Sequence, residues 1–276
     1  MILFSLVNSR DIIAEVMQPT YEGDYFLFHT LNVTYLSCQA AIGLGLSYKD
    51  LTEVCVTALL HDIGMKLINP VIFTHKGKLS ESQRTVIDHR FEEASKFFAN
   101  LKDDLPFLLK VIDEEDASLR KIAPVDSPVP DGADDPEKVE SLKWHMYTEI
   151  VRGCTIFEAL CHDRPFRKAF HPTDAMRLFV EECKQKNFDR KFIRAIIESI
   201  TLYPITSLVR LNNNRIGRVI DIVEGCPLSP IVAIIDDKGT GRPGEEHLTG
   251  EMIDLSTKPT VFIDSIVYTE QFTRLN

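Results

Sequence analysis

Val54-Cys55-Val56-Thr57-Ala58-Leu59-Leu60-His61-Asp62-Ile63-Gly64 is an apolar helical run that ends on two polar groups. Burying an imidazole and a carboxylate together costs several kcal/mol unless a partner compensates, and a divalent cation is the usual partner. His29 lies upstream in Phe26-Leu27-Phe28-His29-Thr30 and His89 downstream in Val86-Ile87-Asp88-His89-Arg90, both on segments of helical periodicity. A lone histidine on such a face is ordinarily a core or surface residue. Three in series, one of them beside an aspartate, point to a metal site.

Helical spacing continues outward from this run. From about residue 8 to 203, apolar residues recur three and four apart over 24–43, 48–62, 80–99, 104–116, 137–162, 172–186 and 189–201. Ser47, Ser80 and Thr173 are expected N-caps, and Gln83 completes a capping box with Ser80. Residues 122–136 carry four prolines and several aspartates and read as an exposed loop. After Tyr203-Pro204 the pattern changes: 207–211 alternates, Asn212-Asn213-Asn214 offers a turn, and 217–223, 231–235 and 261–267 read as strands. The expected architecture is mainly α, a helical domain at 1–203 followed by a small β extension at 204–276.

Composition limits the function. A formal charge of −10 argues against binding to a nucleic-acid polymer, which favours a basic surface. The six cysteines form no CxxC pair and read as reduced thiols of a cytoplasmic protein. No apolar run reaches the roughly 18 residues that span a bilayer, and Met1-Ile2-Leu3-Phe4-Ser5-Leu6-Val7 lacks the marks of a signal peptide.

Four segments, in order, resemble the HD-GYP family of the HD superfamily of metal-dependent phosphohydrolases. Leu59-Leu60-His61-Asp62-Ile63-Gly64 matches the namesake helix end. Lys76-Gly77-Lys78-Leu79-Ser80 with Ile87-Asp88-His89 is similar to "PGxLT…H". Ile156-Phe157-Glu158-Ala159-Leu160-Cys161-His162-Asp163-Arg164-Pro165-Phe166-Arg167 resembles "VFDALTSDRPYR", and Tyr203-Pro204-Ile205-Thr206-Ser207-Leu208-Val209-Arg210-Leu211 looks like "YPxGTLVRL". The resemblance spans residues 26–267.

It implies an HD-type helical bundle in a cytoplasmic bacterial protein that hydrolyses cyclic di-GMP or another phosphodiester. The cofactors would be two divalent metal ions, iron or manganese first, with magnesium a further candidate. His29, His61, Asp62 and His89 match metal ligands, Asp62 as the bridge, and His61 and Asp62 carry the catalytic role. Arg164 and Arg167 match positions facing substrate phosphates.

The sequence also departs from the family. Its His-His-Glu run and Gly-Tyr-Pro loop are missing, and Val111-Ile112-Asp113-Glu114-Glu115-Asp116 stands there. Asp113 and Glu114 take the two ligand positions, with a one-residue slip of register left open; the alternative is a solvated acidic helix end. Thr155 replaces the last aspartate ligand. Glu158, one turn along, falls on a structural position. Met65 replaces a phosphate-binding lysine, with Lys66 adjacent on another face as the remaining candidate. Two classes of function follow: a divergent metal-dependent phosphodiesterase, or a degenerate domain serving as a ligand sensor or protein-interaction module. With little chain before residue 24, regulation is assigned to a signalling partner or to a homodimer.

Overall fold

The computed structural model describes residues 24–68, 80–119, 136–164, 167–170, 172–199, 203, 205, 207–223, 225–235 and 248–267. The expected motif at 76–79, the loop at 122–135, the first 23 residues, Pro165, Phe166 and Pro204 lie outside them.

Helix α1 (Tyr25–Gly43) starts where the Asp24 carboxylate accepts the Phe26 N–H at 2.8 Å, and beyond its end Gly45 takes φ +69°. Ser47 caps α2 (Tyr48–Leu60), as expected. The helical run expected to reach residue 62 stops at Leu60; His61 and Asp62 form a turn, and the short α3 (Ile63–Leu67) follows. Ser80 and Gln83 form the full capping box of α4 (Glu81–Asp88). The segment expected to be continuous over 80–99 is interrupted at His89, and α5 (Arg90–Phe98) follows. The helical part closes with α6 (Pro106–Leu119), α7 (Pro136–Cys161), α8 (Pro172–Gln185) and α9 (Arg190–Ser199). Thr173 lies inside the first turn of α8 instead of capping it, because Pro172, whose fixed φ suits a first helical position, already belongs to the helix.

Helix α1 packs on α2, α7 and α9, while α7 also contacts α6 and α8. Along α7 the buried positions 147, 150, 151, 154, 157, 158 and 161 repeat at three and four, which turns one long stripe into the core, and His162, just past the helix end, continues it. Two members of that stripe, Glu158 and His162, are ionisable. Helix α3 crosses α5 at Gly64, where an added Cβ would lie 1.9 Å from the Arg90 carbonyl oxygen. Only glycine allows that approach.

Cys38 on α1 and Cys55 on α2 are joined in a disulfide, their Cα atoms 5.8 Å apart. This corrects the expectation of six reduced thiols: the two neighbouring helices bring these positions face to face. Cys154, Cys161, Cys183 and Cys226 are free.

The β extension is an antiparallel sheet of β1 (Leu208–Leu211), β2 (Ile216–Asp221), β3 (Ile231–Ile235), β4 (Leu248–Asp254) and β5 (Ile263–Ile266), in the order β4-β3-β2-β1-β5. Asn214, at φ +65°, turns β1 into β2. Strand β4 was not expected from sequence. The protein is thus mainly helical with a small C-terminal sheet. Val209, Leu211, Val219, Val232, Ile234 and Ile253 belong to the same buried cluster as the helical core, and Leu208, Ile216, Ile235 and Val267 form a second, smaller one. No described helix is long and apolar enough to cross a membrane.

Candidate metal centre

His29 comes from the second turn of α1, and His61 and Asp62 from the turn between α2 and α3. Each offers one ligand atom, and the three atoms lie within 4.8 Å of one another. His29 Nε2 is 3.5 Å and His61 Nε2 3.8 Å from Asp62 Oδ2. Both imidazoles are buried, and Asp62 is partly open.

Hydrogen bonds fix which nitrogen of each ring is available. His61 Nδ1–H donates to the Ala58 carbonyl at 2.7 Å, which leaves Nε2 with the lone pair. Thr155 Oγ1 stands 3.4 Å from that nitrogen, but its proton is donated to the Val151 carbonyl at 2.8 Å. One hydroxyl proton cannot serve both. His29 Nδ1–H donates to Glu158 Oε2 at 2.5 Å, so its Nε2 faces Asp62. Two imidazole nitrogens and a carboxylate oxygen are a donor set that fits a first-row divalent cation.

The charges agree with this geometry. Burial works against a proton on His29, but Glu158 and Asp62 outweigh it and push the imidazole up to about 9. Burial would raise Asp62; His61, His29 and then Arg90 hold it well below the usual carboxylate range. Burial alone would likewise raise Glu158, yet His29, His162 and Arg164 bring it down to about 2. His61 is lowered by burial, against the pull of Asp62. Two carboxylates flanking His29 therefore favour positive charge at this point of the fold.

The remaining candidates are distributed differently. His89 is exposed at the joint of α4 and α5, donates Nδ1–H to the Thr85 carbonyl at 2.7 Å, and is not in the three-residue group. Asp113 is exposed, and Glu114 faces His145, with Oε2 3.3 Å from its Nδ1. Lys66 reaches back to Asp24 at 2.9 Å and lies over the Phe26 ring. Arg164 donates from Nη2 to Glu158 Oε2 at 3.2 Å and lies over the Tyr25 ring, which itself stacks on His29. Its buried Nε has no hydrogen-bond partner among the described residues. Arg167 is committed to the carbonyls of Ala159 and Lys168 and to the Phe170 ring.

Two residues belong beside this site that the motifs did not single out for it. Glu115 is buried; its burial and then the Asp62 charge raise it to about 7, against Arg152 and Arg90. Its phase was available: Leu108, Val111, Ile112 and Glu115 share the buried face of α6. Glu158 is fully buried in the α7 stripe and is bonded to His29.

Comparison with known proteins points the same way. Residues 208–275 match the model of a KOW domain associated with HD domain. The chain is 23% identical over 221 residues to a cyclic di-GMP phosphodiesterase of Borreliella burgdorferi, covering 80% of this chain and 55% of that protein. It is 22% identical over 230 residues to a cyclic di-GMP phosphodiesterase of Pseudomonas aeruginosa, covering 83% and 52%. A 3′3′-cGAMP-specific phosphodiesterase of Vibrio cholerae is 26% identical over 180 residues, 65% of this chain and 36% of that protein. The chain thus spans about half the length of the first two of these relatives. The chain is thus similar to cyclic-dinucleotide phosphodiesterases over most of its length, and to a KOW domain associated with HD domain at its C-terminal end.

Proposed function

We propose that this chain is a divergent HD-GYP-type phosphodiesterase that hydrolyses cyclic di-GMP or a closely related cyclic dinucleotide with a divalent cation, iron or manganese first. The observation that carries the reading is the convergence of His29, His61 and Asp62, each imidazole already oriented by a bond from its other nitrogen. The names of the distant relatives support the substrate class.

His29, His61 and Asp62 would hold the cation, with Glu115 as a further carboxylate on the same side. A cation bound there supplies Lewis acidity toward a phosphoryl oxygen and acidifies water. Burial of His29 and His61 keeps bulk water from competing for the donors. Arg164 is the candidate for a substrate phosphate, as the motif match gives it, whereas Arg167 is committed to backbone carbonyls of the turn that carries it. We assign the helical residues to 203 as the hydrolase unit and 204–276 as the extension.

The test starts from protein purified without oxygen and analysed for metal. It is then incubated with cyclic di-GMP and the products are separated by chromatography. A linear dinucleotide from the native chain, lost in His61→Ala, is the expected result. Metal-loaded protein that leaves cyclic di-GMP intact would overturn the hydrolase reading. Thr155 motivates the second reading: a neutral hydroxyl stands 3.4 Å from His61 Nε2 where the resemblance calls for a carboxylate. Binding of intact cyclic di-GMP without turnover would identify a sensor.

A further inference from the structure

Glu158 is the deepest ionisable group of the site: it is fully buried on α7 and reaches two functional side chains with one oxygen. Its Oε2 accepts His29 Nδ1–H at 2.5 Å and Arg164 Nη2–H at 3.2 Å. The ring closes on its other side, because Arg164 lies over Tyr25 at 5.3 Å and Tyr25 stacks on His29 at 5.9 Å. Four side chains thus hold one another, and the ring nitrogen of His29 that Glu158 does not bond, Nε2, points at Asp62. A buried carboxylate costs several kcal/mol unless it is paired. Here the pairing partners are a prospective metal ligand and a prospective phosphate ligand, which is more than packing requires.

We propose that Glu158 is a positioning residue of the metal centre: it locks the His29 ring with Nε2 toward the cation and holds the Arg164 guanidinium at the same end of the site. The inference rests on the metal reading above and adds to it a residue that touches neither cation nor substrate. A carboxylate behind a ligating imidazole orients the ring and raises its basicity, and its loss typically weakens metal binding 10- to 100-fold.

The test uses the full chain and Co²⁺ as probe, with affinity and the visible d–d absorption as readouts and a thermal melt as a folding control. Glu158→Gln preserves volume and an acceptor oxygen but removes the charge. It is expected to weaken Co²⁺ binding about tenfold or more and to change the d–d bands as His29 loosens. Glu158→Asp, which keeps the charge on a shorter arm, should recover part of that loss, and it carries the test if Glu158→Gln does not fold. A Co²⁺ affinity within about twofold of the native chain with unchanged bands in Glu158→Gln, or in Glu158→Asp if only that variant folds, would overturn the proposal. Failure of the underlying reading looks different. There the native chain takes up no Co²⁺, or His61→Ala binds it as well as the native chain does.

Discussion

His29 is held between Glu158 and Asp62, and this determines how the centre responds to pH. With its imidazole raised to about 9, the ring is protonated at neutral pH, so a cation must displace a proton from Nε2. Below about 9 each unit of pH lost should weaken binding by about tenfold, and affinity should level off above it. Mn²⁺ titrations followed by the EPR signal of the free ion, at pH 6.5 and 7.5, measure that slope; equal affinities would show that His29 does not ligate. Removing Asp62 should be more damaging than removing any other single donor, because its oxygen is the one both imidazoles approach. Asp62→Ala should lower metal content at least tenfold by elemental analysis. Away from the site, Asp50 and Glu53 share the Tyr147 hydroxyl, each 2.8 Å from it, and Asp50 lies 2.9 Å from Lys143 Nζ. Burial raises Asp50, but its bonds to Ser47, Lys143 and Tyr147 outweigh that and lower it to about 2. A depressed carboxylate stabilises the fold above its unfolded value of 3.8 and loses that contribution as pH falls through about 2. Asp50→Asn should therefore lower the melting temperature at pH 7 and flatten its fall between pH 4 and 2.

At the scale of elements, the crossing of α3 and α5 is the tightest joint near the site. Gly64→Ala would put a Cβ 1.9 Å from the Arg90 carbonyl oxygen, so α5 must shift. The expected loss is at the upper end of overpacking, about 3 kcal/mol or more. Gly153→Ala meets the end of the Ile196 side chain at 2.4 Å, which can rotate, and should cost about 1 kcal/mol. Urea midpoints compare the two, and a reversed order would contradict the joint. The same scale explains what was legible in the sequence. The long helices followed from apolar spacing, and Ser47 and Ser80 from their chemistry. The break at His89 was not legible, because its backbone stays in the right-handed helical region at φ −73°, ψ −7°, and no proline or glycine marks it. Strand β4 was hidden by Gly250, whose φ of +82° breaks an already weak alternation. In the acidic run at 113–116, composition could not say which carboxylate turns inward; only the phase of Leu108, Val111 and Ile112 selects Glu115.

At the scale of the whole molecule, the helical part and the sheet share one buried cluster. Val209, Leu211, Val219, Val232, Ile234 and Ile253 are in it together with Val33, Ile150 and Phe179. A shared core makes one cooperative unit, so a defect in the sheet should weaken the helices equally. The chain has one tryptophan, Trp144, on α7, half-buried against that core and beneath Lys110. Its fluorescence therefore reports on the helical part alone. Ile234→Ala removes a buried side chain from β3 and should cost about 2–5 kcal/mol. The Trp144 denaturation midpoint should fall by the same free energy as the loss of sheet structure read by infrared absorption. A Trp144 midpoint that stays in place while the sheet melts earlier would mean two independent units. None of His29, His61, Asp62 or Glu158 lies in the sheet, so folded Ile234→Ala protein should bind as much metal per molecule as the native chain. The sheet then acts on the centre only through the fraction of chains that are folded.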